Sequence, residues 1–316
     1  MTLATSAFTT YAAIGNREDL ADTIYRIDPT DTPFFSGIDR SKATAVNHEW
    51  QTQALAAAID SNFQLEGDDN VSANAATPTV RLGNIAQIQI KIPRVTGTQK
   101  VVEHAGRDDE MDYQVMLKGL ELKRDVETTF TMNQKKVTGD TTTARKLASV
   151  LSWIKTNVSQ AGTSPTAADG TDTRTDGTQR AFTEAQLKAV LSACWTSGGR
   201  PDVIMSGAFN KQVFSTFVGR GTPTQDQASK KITAAADVYE SDFGKLKTVP
   251  NRFMRSRDVL VLQMDMWASA ALPGRNFTTF PLAKTGDTDR KQLLVEHTLE
   301  ARNEKASGGV FDLTSS

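Results

Sequence analysis

Residues 108 to 136 constrain this chain more than any other stretch. Asp108, Asp109 and Glu110 open the run, placing negative charge where a helix N-terminus favours it. Met111, Val115, Leu122, Val126 and Phe130 recur at helical spacing, Leu117 and Leu120 add a second stripe, and Lys135 and Lys136 close the run. The spacing predicts a helix roughly 40 Å long at ~1.5 Å per residue. Such a helix needs a sheet or other helices laid along its apolar side. Gly119 in its middle costs up to about 1 kcal/mol relative to Ala, and reads either as a close-packing site or as a bend point.

The chain before the helix offers strands. VNHEWQTQAL (46–55) puts Val46, His48 and Trp50 on one face by two-residue alternation. In IAQIQIKIP, Ile88, Ile90 and Ile92 alternate with Gln87, Gln89 and Lys91 until Pro93. Between them, residues 56–80 are polar and turn-rich, with Asp60, Glu66, Asp68 and Asp69 and no Lys or Arg. The expectation is a long β-hairpin with an acidic tip. Two strands alone are not stable, so the hairpin must lean on something.

Residues 1 to about 45 read as an extended arm, with one helical stretch from Arg17 to Tyr25. In IDPTDTPFFSGI the prolines remove backbone donors and fix φ, which argues for arm rather than helix. Phe34, Phe35 and Ile38 then require a surface, on this chain or a neighbour.

After the long helix, a Thr-, Asp- and Gly-rich segment (138–182) contains a short helix near Ala144 to Lys155. TEAQLKAVLSACWTSGG has a capping box in Thr183 and Gln186, an apolar stripe and terminating glycines. PDVIMSG reads as a buried strand, and AFNKQVFSTF as a helix capped by Ser206. GRGTPTQDQASKK (219–231) is a loop, and VYESDFGKLKTVPN a hairpin turning at Gly244. DVLVLQM is a buried strand, and the segment from Asn276 to Glu304 a hairpin with a long final strand. The fold class is α+β.

Catalytic signals are nearly absent. The patterns G-x-S-x-G and G-x-x-x-x-G-K-[ST] do not occur, and DTRTDG from Asp172 lacks the carboxylates of a calcium loop. One cysteine, Cys194, permits no intrachain disulfide, and three histidines, His48, His104 and His297, argue against a metalloenzyme. No cofactor is expected. A formal net charge of -1 does not suit a protein that wraps nucleic acid by neutralising phosphates. There is no apolar run long enough for a membrane span and no signal peptide, so a cytoplasmic protein without membrane contact is expected. What stands out is a set of segments that cannot satisfy themselves.

The segment order, from arm through hairpin and long helix to an α/β lobe and returning strands, resembles the major capsid protein of tailed bacteriophages, the Hong Kong ninety-seven type fold. NREDLADTIYRIDPTDTPFFSGI followed by HEWQTQAL, residues 16 to about 55, is similar to the opening of one branch of phage major head proteins. The resemblance implies an N-terminal arm (1–45), an extended hairpin loop (46–98) and a peripheral domain with a spine helix (99–139). An axial domain (140–270) and returning strands (271–316) would follow. It also implies a virion protein, assembled in the host cytoplasm, whose hexamers and pentamers form an icosahedral shell around double-stranded DNA. Separate portal and decoration proteins are implied partners. A scaffolding protein would also be separate, because the arm starts almost at Met1. The isopeptide crosslink of some members is not expected, since the tip has no lysine.

Under this reading the interface candidates are Phe34, Phe35, Trp50 and the acidic tip residues Asp60, Glu66, Asp68 and Asp69. The tip could be a solvated turn or could dock on a neighbour's basic patch, at Lys135 and Lys136 or at Arg252, Arg255 and Arg257. Two other classes stay open. A tail-tube or decoration protein should be mostly β, against the long helix, and an α+β enzyme would need a pocket with perturbed carboxylates.

Overall fold

One strand, Thr288–Ala301, organises the first of two large sheets. Trp267–Ala271 and Thr278–Leu282 pair with it antiparallel. So do Gln87–Lys91 and Arg94–Thr96. Asp39–Lys42, far earlier in the chain, adds to the edge strand Trp267–Ala271 in parallel. The computed structural model describes residues 28–63, 65–67, 76–217 and 238–315. The expected helix 17–25, the tip residues Asp68 and Asp69, and the expected loop 219–231 lie outside the described residues.

The long helix runs Glu110–Thr131, about 33 Å at ~1.5 Å per residue, shorter than expected at both ends. Asp109, not a helical residue, caps it: its Oδ1 accepts from the N–H groups of Met111 (2.6 Å) and Asp112 (3.1 Å). Lys135 and Lys136 lie beyond the C-terminus, where the Lys136 N–H donates to the Gly170 carbonyl. The apolar stripe is confirmed, with Leu122, Val126 and Phe130 fully buried against Leu293, Val295 and Leu299 of the long strand.

The strand pairing of the hairpin differs from expectation. Asn47–Thr52 pairs with Val80–Ile85, from Asn47 opposite Ile85 to Thr52 opposite Val80. The isoleucine segment instead joins the large sheet, and its polar side faces inward. Gln89 donates to the Thr129 hydroxyl (2.7 Å), the Gln87 side-chain carbonyl accepts from Gln134 (2.9 Å), and Lys91 pairs with Asp125 (2.8 Å). The helix and its C-terminal extension offer polar partners there, so the isoleucines turn outward.

The second sheet has the order Asn157–Ser159, Gly308–Val310, Val259–Leu262, Val203–Ser206, Gly244–Pro250, Val238–Ser241. The helix Glu184–Thr196 packs on its first two strands. Its expected capping box is present, and the hairpin turns at Gly244 with φ of 143°. Two local expectations fail. The short helix is only Val150–Trp153, because Leu147 and Ala148 before it bond to Gln87 and Asn84. The helix Ala208–Phe214 is capped by Gly207, and the buried Ser206 hydroxyl caps nothing. Among the described residues no helix is long and apolar enough to cross a membrane.

Gly119 now has a definite reading. The helix is continuous through it, and a Cβ there would meet the Leu293 Cδ2 at 3.7 Å, ordinary contact. Gly119→Ala is therefore expected to stabilise the chain by up to about 1 kcal/mol, read as a raised denaturation midpoint. A lowered midpoint would show that the backbone needs the glycine.

Candidate functional site

Nothing among the described residues assembles a catalytic centre. No three His, Cys, Asp or Glu side chains come together to hold a metal ion there. A cleft of about 630 Å³ lies between the helix Glu184–Thr196 and the hairpin Val238–Pro250, lined by Glu184, Lys188, Tyr239 and Glu240. Burial, with Glu184 beside it, pushes the Tyr239 hydroxyl up to about 12, far from proton transfer at neutral pH. Burial pushes the Cys194 thiol up to about 12 as well, so it is no nucleophile. His297, enclosed beneath Phe130, is pushed down to about 3 by burial and stays neutral.

The distinctive geometry is where the two projecting segments join the body. The arm enters through one helical turn, Pro33–Gly37, with Pro33 in the first turn. That corrects the expectation that the prolines of IDPTDTPFFSGI exclude a helix: a proline in the first turn loses no helical hydrogen bond and presets φ. The turn sits over a buried carboxylate. Glu127 accepts from the N–H of Phe34 (2.9 Å) and Phe35 (2.7 Å), and from the Asn251 amide (2.6 Å). Burial pushes the Glu127 carboxyl above its ordinary range, while the Phe35, Phe34 and Asn251 donors oppose that shift. Phe34 is fully buried, edge-on to Phe130 and Trp267 with ring centroids 6.0 and 6.4 Å away. The two phenylalanines proposed for an interface thus fill the chain's own core. Glu127 is the anchor that sequence reading missed, its only signal being a lone acid inside a helix's apolar stripe.

The hairpin is fixed at its base by Asn84, also missed. Its side-chain amide donates to the Ala148 (3.0 Å) and Leu299 (2.7 Å) carbonyls, and its Oδ1 accepts from the N–H of Ile85 and Ala148. Trp50 packs on Trp153 and donates to the Ala301 carbonyl (2.9 Å). Beyond Thr52 and Val80 the strand pairing ends, and the Gln53 amide donates to the Thr77 carbonyl (2.8 Å) just past it. Asp60 and Glu66 are exposed and have no ion-pair partner among the described residues. The tip is less polar than its acids imply, for Leu55 is 96 % exposed and Leu65 81 %, with Ile59 and Phe63 also outward.

The proposed basic partners are not equivalent. Arg255 pairs with Asp176 and, at 3.5 Å, with Asp258. Arg257 pairs with Asp312 (2.9 Å) and Asp176 (3.3 Å). Both charges are therefore matched within the chain, where they tie the 160–177 loop to the C-terminal segment. Lys136 donates to the Gly83 carbonyl (2.7 Å) at the hairpin base. Lys135 and Arg252 remain exposed.

Comparison with known proteins extends this picture. The family described as SU10 major capsid protein matches residues 4–314. A curated relative, the major capsid protein of Escherichia phage Phieco32, is 25 % identical over 346 residues, covering 96 % of this chain and 96 % of that protein. The capsid asymmetric unit of Cyanophage A-1(L) shares the fold, with a TM-score of 0.65 at 13 % identity over 97 % of this chain and 98 % of that one. The capsid of a native GTA particle does so with a TM-score of 0.64 at 10 % identity, over 96 % and 98 %.

The anchor generates a direct expectation. Glu127→Ala leaves the Phe34 and Phe35 N–H groups buried without an acceptor, at about 1–3 kcal/mol each. Trypsin cleavage at Arg40 and Lys42 should accelerate in this variant before the rest of the chain is cut. Unchanged cleavage there would mean that Glu127 does not hold the arm.

Proposed function

The chain belongs to the SU10 major capsid protein family and is a structural protein of a capsid shell, not an enzyme; from that premise we propose that copies of it build a closed icosahedral shell of hexamers and pentamers around double-stranded DNA. In this reading residues 1–45 are an N-terminal arm, and within 46–98 the hairpin of Asn47–Thr52 and Val80–Ile85 reaches a neighbour while Gln87–Lys91 and Arg94–Thr96 stay in the subunit's own sheet. Residues 99–139 carry the spine of a peripheral domain, 140–270 form an axial domain facing the capsomer axis, and 271–316 return to complete the sheets. Assembly takes place in the host cytoplasm, with scaffolding, portal and decoration proteins as separate chains.

One observation carries the proposal: the hairpin tip presents Leu55, Ile59, Phe63 and Leu65 to solvent on a base that is rigidly fixed. A group of apolar side chains held out in this way marks a site of contact with another surface. A net charge of -1 agrees with a container that encloses DNA without gripping each phosphate.

Deleting residues 55–77 tests this. Gln53, Ala54, Pro78 and Thr79 would then close the Thr52–Val80 pair as a four-residue loop, a length common in hairpins. The variant should fold with a melting temperature near that of the parent chain and form no shells by negative-stain microscopy. Normal shells from this deletion would remove the hairpin from the assembly contact.

A further inference from the structure

Of the four tryptophans, Trp153 and Trp267 are fully buried, Trp50 is half-buried, and Trp195 is 59 % exposed. Trp195 stands near the end of the helix Glu184–Thr196, four residues beyond Leu191 and at the margin of the buried stripe. Its ring centroid lies 5.5 Å from that of Phe243, with the planes 30° apart. Phe243 occupies the turn between Ser241 and Gly244, where turn chemistry favours small or polar residues. Neither ring belongs to the buried cluster of this lobe, which is filled by Leu187, Val190, Leu191, Cys194 and Leu246. Two stacked aromatic rings outside the core that they border mark a contact surface.

The pair stands between two clefts. One is the cleft of about 630 Å³ beside Tyr239, and the other, of about 820 Å³, is lined by Arg200, Asp202, Lys245 and Asp265. Glu240 and Ser241 border both. Their strand, Val238–Ser241, is the last of the second sheet among the described residues, so its outer edge offers backbone N–H and C=O groups to an added strand. The rim is acidic. Lys188 pairs with Glu184 (2.9 Å) and Lys245 with Glu240 (3.5 Å). Asp202, Asp242 and Asp265 are exposed and have no ion-pair partner among the described residues. Of the residues lining the two clefts, only Arg200 is left to oppose them.

We propose that this groove is the docking site for an extended, basic segment of a different protein. The segment adds along Val238–Ser241, sets an apolar side chain against Trp195 and Phe243, and places lysine or arginine heads at Asp202, Asp242 and Asp265. The occupant is not the hairpin tip of a second copy, because residues 55–66 carry Asp60 and Glu66 and no Lys or Arg, so the rim repels them. The two parts of the groove do different work. A tryptophan anchor supplies most of the affinity in contacts of this kind, and a charged rim selects the partner and sets the salt dependence. The inference goes beyond the shell reading and does not rest on it, since one subunit carries the whole groove.

The test follows the fluorescence anisotropy of a dye-labelled peptide of alternating lysine and leucine, titrated with the full chain. Binding should saturate, weaken about tenfold or more with Trp195→Ala, and weaken as salt is raised. Asp242→Lys combined with Asp265→Lys should weaken it by a similar factor and flatten its salt dependence. A peptide of alternating glutamate and leucine should not bind. The substituted side chains are exposed, so each variant should melt as the parent does. Should Trp195→Ala fail to fold, Phe243→Asn carries the same test. No saturable binding by the full chain overturns the proposal, whether residues 218–237 of the same chain or a second copy fill the groove. So does equal binding of the glutamate peptide, or parent-like binding by the Trp195 or aspartate variants. A Trp195→Ala chain that binds the lysine peptide as the parent does, but loses self-association in sedimentation, would give the groove to a second copy.

Discussion

The whole fold depends on the strand Thr288–Ala301 being long enough to pair with four others. Its first half holds Thr278–Leu282 on one edge; on the other, Arg94–Thr96 is followed by Gln87–Lys91, which pairs along the middle of the strand from Leu293 to His297. Its second half holds Trp267–Ala271, through which the arm strand Asp39–Lys42 is attached. Segments more than two hundred residues apart thus share one hydrogen-bonded frame. The long helix can lie along that frame because Leu122, Val126 and Phe130 match the apolar side of the strand. Burying these side chains contributes roughly 1.5–3 kcal/mol each, which offsets the ordering of a helix longer than most.

Where projecting segments leave this frame, buried polar groups fix them. Glu127 meets the first N–H groups of the arm's helical turn, where a carboxylate also suits the local dipole. Asn84 satisfies its amide and carbonyl entirely with backbone groups, those of Ala148, Leu299 and the adjacent Ile85. Such groups are costly if left unpaired, so each specifies a geometry as well as adding stability. A hairpin with a rigid root and an apolar tip is suited to making the same contact in many copies.

The elements were largely legible in the sequence, and their pairing was not. The long helix, the strands at 203–206 and 259–262, the hairpin at Gly244 and the long final strand all followed from periodicity and turn chemistry. Ile88, Ile90 and Ile92 revealed a strand but misled on its partner. Alternation fixes which residues share a face; it does not say which face the rest of the chain will cover. Here Gln87, Gln89 and Lys91 found polar partners on the helix side, so the apolar side was left outward. Arg255 and Arg257 misled for a related reason, since their partners Asp176 and Asp312 are distant in sequence. Glu127 and Asn84 were invisible because a single acid in a helix or amide in a strand is ordinary until its surroundings are known.

The central claim is that this subunit is completed by its own copies, and electron cryomicroscopy of particles formed by the purified chain tests it most directly. The account predicts closed shells in which the hairpin tip of each copy lies against a neighbour. Shells in which that tip remains open to solvent would contradict it.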